Sequence, residues 1–101
     1  MFFLCKGGYK KDGNGPVLTK KSEDVCKACR APLAEFLNGK ECNPCVKKGN
    51  EGGSARLDVY YNEKEGIAYA QLFDFCNYAY EPLTEMVELT GQKAFKLISQ
   101  L

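Results

Sequence analysis

The sequence predicts a small α+β domain, in which a four-cysteine module packs with a β-hairpin and a C-terminal helix. Three observations predict this fold: two Cys-x-x-Cys pairs lie close together, apolar and polar residues alternate over 55–61, and apolar residues recur at helical spacing after residue 82. The chain has 101 residues, which is one domain's length but little for a self-sufficient core. We therefore expect an additional crosslink to stabilise it.

The chain is predicted to be a single domain over residues 1–101 with an uneven distribution of charge. Residues 1–48 are a basic half with the cysteine pairs, residues 49–54 a glycine-rich linker, and residues 55–101 the hairpin and helix. The first fifty residues contain ten basic and five acidic side chains, and the rest contain four basic and eight acidic ones. A chain with charge of both signs is not expected to bind phosphates non-specifically along its whole length.

Residues 1–6 are predicted to form a short strand, which two glycines end. The segment 10–16 contains Asp-Gly, Asn-Gly and a proline, and these are typical of a turn because they favour positive φ or cannot pair in a sheet. Residues 17–19 are expected to form a second strand that leads into the cysteine module.

Twelve residues separate the two cysteine pairs, Cys26-x-x-Cys29 and Cys42-x-x-Cys45. Two thiolates three positions apart can bind a metal ion from one side, and a second pair completes a tetrahedron with Zn–S distances of about 2.3 Å. The intervening residues suit a hairpin or a loop. Because four thiolates select zinc, the sequence predicts one structural Zn²⁺ held by these four cysteines.

Three other uses of the four cysteines stay open. Disulfides require an oxidising compartment, and the chain begins at Met1 without a secretory signal, so a reducing, cytoplasmic or other intracellular location is expected. Pro44 within the second pair is typical of redox-active motifs, but no buried strand precedes it in the sequence. An iron–sulfur cluster would use the same four ligands.

The segment 24–50 resembles the zinc-ribbon and treble-clef group of four-cysteine modules. It shares their first Cys-x-x-Cys knuckle, a small and apolar stretch, and a second knuckle preceded by Gly39. The resemblance implies a structural zinc but no particular partner, because such modules bind DNA, RNA or proteins. Arg30 and Val46 follow the knuckles where glycine is usual, which leaves open whether Cys45 ends a hairpin or begins a helix. In style, the whole chain is similar to small phage or viral proteins that modulate host machinery.

The neighbours of the cysteines indicate further roles. Cys5 and Cys76 lie among apolar residues and are predicted to be buried. The alternatives are a fifth metal ligand, a second metal site or a disulfide between these two cysteines. Basic residues near the four ligands are expected to offset the negative charge of a zinc–tetrathiolate site. They are Lys27, Arg30, Lys40, Lys47 and Lys48.

Residues 55–73 are predicted to form a β-hairpin with a turn at residues 62–66, because apolar and polar residues alternate on both sides of the turn. The stretch 67–80 also admits a helix. After Pro82, which suits the first turn of a helix, apolar residues recur at steps of three and four to the end of the chain. The sequence therefore predicts a C-terminal helix, which Thr90-Gly91 kinks or divides into two.

Catalysis is not predicted. The sequence has no histidine, which excludes Ser-His-Asp and Cys-His sites, and it shows no assembled acid, base or nucleophile. A zinc ion with four cysteine ligands has no open position at which to activate water. No run approaches the eighteen or so apolar residues of a membrane span, so no membrane partner is expected.

Two binding functions remain, and protein binding is favoured. The chain is predicted to be a zinc-binding regulatory protein that docks on a protein partner through Tyr60 and Tyr61 in its acidic half. Alternation along the strand turns Tyr60 toward solvent. The alternative is a nucleic-acid-binding regulator, whose basic half contacts phosphates. Its candidate residues are Lys10, Lys11, Lys20, Lys21, Lys47 and Lys48.

Overall fold

The computed structural model describes the backbone of residues 3–5 and 8–10, and all of residues 17–49 and 55–101. In chain order, the elements are β1 (Phe3–Cys5), β2 (Gly8–Lys10), β3 (Thr19–Val25), α1 (Lys27–Leu37), β4 (Ala55–Asn62), β5 (Ile67–Cys76), β6 (Ala79–Pro82), β7 (Val87–Thr90) and α2 (Gln92–Ile98). They form a small α+β fold, as the sequence predicts. Neither helix in the described part of the chain has the length and apolar character that crossing a membrane requires.

Five strands form one antiparallel sheet with β5 at its centre. The strands β3, β4, β5 and β6 lie in that order, and β7 pairs with β5 at the end that β6 leaves free. Between β6 and β7, Leu72 of β5 accepts a hydrogen bond from the N–H of Leu83 at 2.8 Å and donates its own N–H to Oγ1 of Thr84 at 3.2 Å. These two bonds satisfy the backbone of β5 where the edge strand is interrupted. The strands β1 and β2 form a separate antiparallel pair.

The strands β4 and β5 form the predicted hairpin and are paired along the whole length of β4. The strand β5 continues to Cys76, past the predicted end at residue 73, because β6 pairs with its last four residues. The helix alternative over 67–80 is therefore wrong. Gly66 ends the turn with a φ of +63°, a conformation that glycine adopts without steric cost.

The segment between the cysteine pairs is mostly helical, where the sequence predicts a hairpin or a loop. The helix α1 contains three apolar residues at steps of three and one, Leu33, Phe36 and Leu37, and each is at most 2% exposed. They place one face of the helix against the sheet. An isolated helix of eleven residues is marginal in water, so burial of this face stabilises it.

The predicted C-terminal helix is wrong over its first half. Pro82 ends β6, residues 87–90 form β7, and only α2 is helical. Val87 and Leu89 alternate with polar residues, and this period of two fits a strand that pairs with β5. Gly91, with a φ of +61°, separates β7 from α2 at the position where the sequence predicts a break.

One face of the sheet packs against both helices and forms the main core. The buried members of the main core are Val25, Cys29, Leu33, Phe36, Leu37, Ala55, Leu57, Val59, Ala68, Ala70, Leu72, Leu89, Ala94 and Leu97. The opposite face of the sheet has a smaller cluster of Leu18, Tyr60 and Tyr69. Both faces of the central strands are therefore partly covered by apolar side chains.

The strands near the N-terminus agree in part with the strands predicted from the sequence. The strand β1 lies within the strand predicted over residues 1–6. The strand β3 begins at the last residue of the strand predicted over 17–19 and extends to Val25. The predicted turn over 10–16, apart from its first residue, lies outside the described residues. The same is true of the linker 49–54 apart from its first residue.

Candidate functional site

The first cysteine pair lies where β3 meets α1. Cys26 follows the strand in an extended conformation, with φ −68° and ψ 156°, and the helix begins at the next residue. Cys29 lies in the first turn of α1, and its N–H donates to the carbonyl of Cys26 at 3.0 Å. The change from strand to helix therefore places both thiols at the N-terminal end of α1.

The second cysteine pair lies in the loop that follows α1 and returns to β3. Gly39, with a φ of +89°, turns the chain after the helix. The returning chain then runs beside the end of β3, where Cys26 donates its N–H to the carbonyl of Lys47 at 3.0 Å. An antiparallel β-bridge between Val25 and Lys48 continues this pairing. The pairing brings Cys45, two residues before Lys47, next to the first pair.

Three of the four sulfur atoms converge. Sγ of Cys29 lies 3.3 Å from Sγ of Cys26 and 3.0 Å from Sγ of Cys45. The thiol of Cys42 instead donates to the carbonyl of Pro32 in α1 at 3.2 Å. Cys29 is buried and the other three cysteines are half-buried, and all four are free thiols.

The sulfur atoms match zinc in chemistry and less well in arrangement. Around a tetrahedral zinc ion, sulfur atoms lie about 3.8 Å apart. That spacing is wider than the 3.3 Å and 3.0 Å observed between the converged thiols. In the described part of the chain, no group of three or more histidine, cysteine or carboxylate side chains has the arrangement of a metal site. Soft donor atoms are thus close together, but their spacing is not that of a tetrahedral metal site.

The position of the helix also settles the local structure after each knuckle. Cys45 lies in an irregular loop, so it neither ends a hairpin nor begins a helix. The helix begins at the first knuckle instead, immediately after Cys26. The connection between the knuckles is therefore α1 and the turn after it.

Of the five basic residues expected to offset charge at the cysteines, Arg30 has another partner. Its Nη1 lies 2.8 Å from Oδ1 of Asp74 on β5, and this ion pair joins α1 to the sheet. The other four are exposed and form no ion pair with any residue that the structure describes. They are Lys27, Lys40, Lys47 and Lys48.

The six lysines of the predicted nucleic-acid surface are not gathered on one described face. Lys20 and Lys21 are neighbours on β3, so their side chains point to opposite faces of the sheet. Nζ of Lys21 also lies 3.1 Å from a carboxylate oxygen of Glu23. Lys47 and Lys48 are exposed in the returning loop, and the side chain of Lys10 and all of Lys11 lie outside the described residues.

The expectation that Tyr60 is exposed is wrong. Tyr60 lies on the sheet face opposite the main core, as alternation predicts, but only 9% of it is exposed. It packs there with Leu18 and Tyr69, because this face has an apolar cluster of its own. Tyr61 is half-buried against the main core. Neither tyrosine presents a fully open ring to a partner.

Cys76 is exposed, and the prediction that it is buried is wrong. It ends β5 at the hairpin to β6, where its neighbour Phe75 is also exposed. The apolar sequence around Cys76 therefore belongs to a surface hairpin and not to a core. The side chain of Cys5 lies outside the described residues.

The hairpin between β5 and β6 displays a cluster of aromatic rings, which we call the aromatic tip and define as Phe75, Tyr78 and Tyr80. Tyr78 is 97% exposed, and the other two are 45% and 43% exposed. Phe75 and Tyr80 are cross-strand partners with ring centroids 5.1 Å apart. The sequence predicts tyrosines in a docking surface, but it does not single out these.

The turn of this hairpin places Tyr78 in an unusual backbone conformation. Asn77 and Tyr78 have φ values of +52° and +65°. Two successive positive φ values are typical of a type I′ turn, in which asparagine is favoured first and glycine second. A side chain with a Cβ is disfavoured at the second position, so the fold alone gives no reason for tyrosine there.

Arg56 supports the aromatic tip from the sheet. Its guanidinium lies 4.3 Å from the ring centroid of Tyr80 and 5.0 Å from that of Phe73. Nη2 of Arg56 also donates to Oδ2 of Asp58 at 3.2 Å. The guanidinium of Arg56, which the carboxylate of Asp58 holds, therefore helps to fix the ring of Tyr80.

The converged thiols and the aromatic tip are thus two candidate functional features among the described residues. They belong to different parts of the fold, the β3–α1 junction and the β5–β6 hairpin. Comparison of the chain with protein-family models, with curated proteins and with solved structures finds no match.

Proposed function

We propose that the chain is a non-enzymatic, zinc-binding interaction protein that docks on a protein partner through the aromatic tip. The observation that carries this proposal is the concentration of exposed apolar side chains in one hairpin. Among the described residues, six large apolar side chains are exposed, and four of them lie within residues 75–83. Exposed apolar patches of this kind on small proteins are typical of contact surfaces.

The chemistry of the aromatic tip suits a protein partner. Tyrosine and other aromatic residues are enriched at interaction hot spots, because a rigid ring buries a large area with little loss of conformational entropy. The rings of Phe75 and Tyr80 contact each other at a tilt of 54°, and Arg56 holds Tyr80 before any partner arrives. A preorganised surface binds more tightly because less motion is lost on binding.

The charge near the aromatic tip favours a neutral or basic protein surface. Residues 74–85 contain three acidic residues and no basic one. Asp74 is paired with Arg30, whereas Glu81 and Glu85 are exposed and form no ion pair with the described residues. A negative rim repels nucleic acid and favours a partner surface of opposite sign.

Zinc is proposed as the structural support of the same protein. The convergence of Cys26, Cys29 and Cys45 supports this proposal, and Cys42 would supply the fourth ligand. A coordinated thiolate has no proton to donate, so Cys42 would give up its hydrogen bond to Pro32. Zinc bound there would crosslink the end of β3, the start of α1 and the returning loop.

The test of docking compares partner capture by variants of the full chain. Tyr78→Ser and Phe75→Ser remove rings of the aromatic tip, and Val17→Ser removes an apolar side chain that is 62% exposed elsewhere. We expect a partner captured by the wild type to be retained by Val17→Ser and lost by both tip variants. A loss of about tenfold or more in affinity at the tip is the size expected of a hot spot.

The same experiment distinguishes a nucleic-acid partner. Lys20→Glu combined with Lys48→Glu reverses two exposed charges of the basic half and leaves the Lys21–Glu23 ion pair intact. A protein complex should survive these changes and nuclease treatment. A complex that is lost on nuclease treatment or in the lysine variant, while Tyr78→Ser retains it, would contradict the proposal.

A further inference from the structure

A groove lies between the loop of the second cysteine pair and the helix α2, and two of the proposed zinc ligands, Cys42 and Cys45, line part of its wall. Its larger part has a volume of about 500 Å³ and is lined by Lys40, Asn43, Gln92, Lys93 and Lys96, which define what we call the polar groove. A smaller part of about 330 Å³ shares Asn43 and Lys96 with it. These volumes are within the range of small-molecule binding sites.

Positive charge is the main property of the polar groove. Its three lysines face a single carboxylate residue, Glu41, so the lining has a net charge of +2. All three lysines are exposed, and none forms an ion pair with a residue that the structure describes. Unpaired cations around a concave surface concentrate positive potential there and attract anions.

The polar groove offers hydrogen-bond donors but no ring surface for stacking. The side-chain amides of Asn43 and Gln92 can donate to acceptor oxygens. Among the described lining residues, Phe36 is the one aromatic side chain, and it is only 2% exposed. Single-stranded nucleic acid is held largely by base stacking on aromatic rings, so a smaller anionic ligand fits the polar groove better.

We propose that the polar groove binds the phosphate groups of a small phosphorylated molecule, such as a linear diphosphate or triphosphate. Lysine ammonium groups bind phosphate as point charges, and the two amides add hydrogen bonds to its oxygens. Inorganic polyphosphate and the phosphate chain of a nucleotide share this chemistry. Recognition depends on the lysines and amides and on none of the residues of the aromatic tip. The polar groove borders the proposed zinc site, because Cys42 and Cys45 also line it.

The test is a titration of the full ¹⁵N-labelled chain with sodium tripolyphosphate, followed by the side-chain amide signals of Asn43 and Gln92. We expect saturable shifts of both signals. The double variant Lys93→Gln/Lys96→Gln should lower the affinity about tenfold or more, because each surface charge contributes about fivefold. Glu41→Gln, which removes the one carboxylate, should raise the affinity.

Lys64→Gln is the matched control, because Lys64 is an exposed lysine in the turn between β4 and β5, and its removal should leave the affinity unchanged. Zinc content is measured before and after each titration, because tripolyphosphate chelates divalent cations. The backbone amide spectrum of Lys93→Gln/Lys96→Gln shows whether this variant is folded. If it is, any loss of binding is due to the missing charges of the polar groove.

Titrations with ATP and adenosine separate the two sources of phosphate. ATP affinity equal to that of tripolyphosphate assigns the site to the phosphate chain alone, and higher ATP affinity assigns it to a nucleotide; both results support the proposal. Adenosine binding as tightly as ATP would overturn it. So would tripolyphosphate affinity that is unchanged in Lys93→Gln/Lys96→Gln, or tighter binding of an acidic peptide or an oligonucleotide at the same residues.

Discussion

At the scale of single residues, the four paired cysteines differ in what surrounds each sulfur atom. Cys29 is the central thiol, close to both Cys26 and Cys45, and it is 2% exposed. To bind a metal ion, it must lose its proton, and its distances to these two sulfur atoms must widen to about 3.8 Å. Cys42 must also exchange its hydrogen bond to Pro32 for coordination. The four cysteines are therefore unequal, although the sequence presents them as two equivalent pairs.

This inequality predicts an order of zinc loss. Purified protein should contain one zinc ion per chain, and Cys29→Ser should abolish zinc binding, because it removes the sulfur atom that two others approach. Cys42→Ser should weaken binding less than Cys29→Ser does. The measurement is metal analysis combined with competition against a chelator of known affinity.

Cys76→Ser is the control for zinc loss, since Cys76 is exposed at another hairpin and its replacement should leave the zinc content unchanged. A folded protein without metal, in which mass spectrometry finds a Cys29–Cys45 disulfide, would contradict the zinc site. Equal loss of zinc in all four single variants would contradict the inequality between Cys29 and Cys42.

Exposure of Cys76 predicts its reactivity. In the native protein, Cys76 should react with a thiol-specific reagent without prior unfolding, whereas Cys29, which is 2% exposed, should not. Cys76→Ser should change the free energy of unfolding by less than about 0.5 kcal/mol, as expected for a surface substitution. Peptide mapping after a short labelling pulse identifies the modified residue, and protection of Cys76 would mean that a segment covers it.

At the scale of elements, the hairpin between β5 and β6 has an exposed tyrosine, Tyr78, at a turn position where the backbone conformation favours glycine. Tyr78 has a φ of +65° and is 97% exposed, so its ring contributes little to the core and its Cβ is disfavoured. Glycine is the favoured residue at this position of a type I′ turn. The hairpin would therefore fold better without the side chain that our proposal assigns to docking.

Tyr78→Gly should thus separate stability from docking. We expect the free energy of unfolding to rise or stay unchanged, by about 0 to +1 kcal/mol, because the strained Cβ is removed. Partner affinity should fall about tenfold or more. Tyr80→Ser is the contrasting variant, since it removes the ring that Arg56 contacts and should lower stability as well as affinity. A marked loss of stability in Tyr78→Gly would show that the ring supports the fold.

The turn between β4 and β5 also supports α2. A Cβ added at Gly66 would lie 3.0 Å from Cζ of Phe95, a side chain of α2, and the φ of +63° disfavours it further. Gly66→Ala should therefore lower the free energy of unfolding by about 1–3 kcal/mol. Gly91→Ala places its Cβ with no atom within 4 Å, so its cost comes from the backbone alone, which has φ +61° and ψ −133°, a conformation essentially restricted to glycine. A loss below about 1 kcal/mol for Gly66→Ala in a denaturant titration would mean that Phe95 moves aside freely.

The elements that the sequence predicts correctly are those with local signals. The hairpin of β4 and β5 combines alternation with a turn that Gly66 ends, and both features are visible in a short stretch of sequence. Asn77 likewise marks a turn at the aromatic tip, but the apolar residues around it indicate a core. The sequence wrongly predicts a helix over β7. Four residues are too few to distinguish the helical period of 3.6 from the strand period of two, and the pairing with β5 that forms the strand is non-local.

The candidate site is predictable in composition but not in arrangement. Cysteine spacing marks the proposed ligands. The helix between the pairs, however, depends on three apolar residues that contact the sheet, and the local sequence does not show this contact. The same holds for Tyr60. Alternation places it on the correct face, but its burial depends on Leu18 and Tyr69, which come from two other parts of the chain.

At the scale of the whole molecule, the β3–α1 junction and the sheet are joined by three kinds of contact. The apolar face of α1 packs on the main core, Arg30 pairs with Asp74 on β5, and the returning loop hydrogen-bonds to the end of β3. The sheet itself is more continuous, since β4 is paired on both sides along nearly its whole length. The cysteine module is therefore the part of the fold that a metal crosslink would stabilise most.

Removal of zinc is expected to loosen the cysteine module before the sheet. In hydrogen–deuterium exchange, a chelator should speed amide exchange in α1 and in residues 45–49 by about tenfold or more, because the crosslink between them is lost. Exchange in β4 and β5 should change by less than about twofold, since their hydrogen bonds do not involve the module. Cys29→Ser should show the same pattern without chelator, which separates loss of metal from other effects of the reagent. Uniform acceleration across α1 and β5 would mean that the module and the sheet unfold together, and unchanged exchange in α1 would mean that no metal holds it.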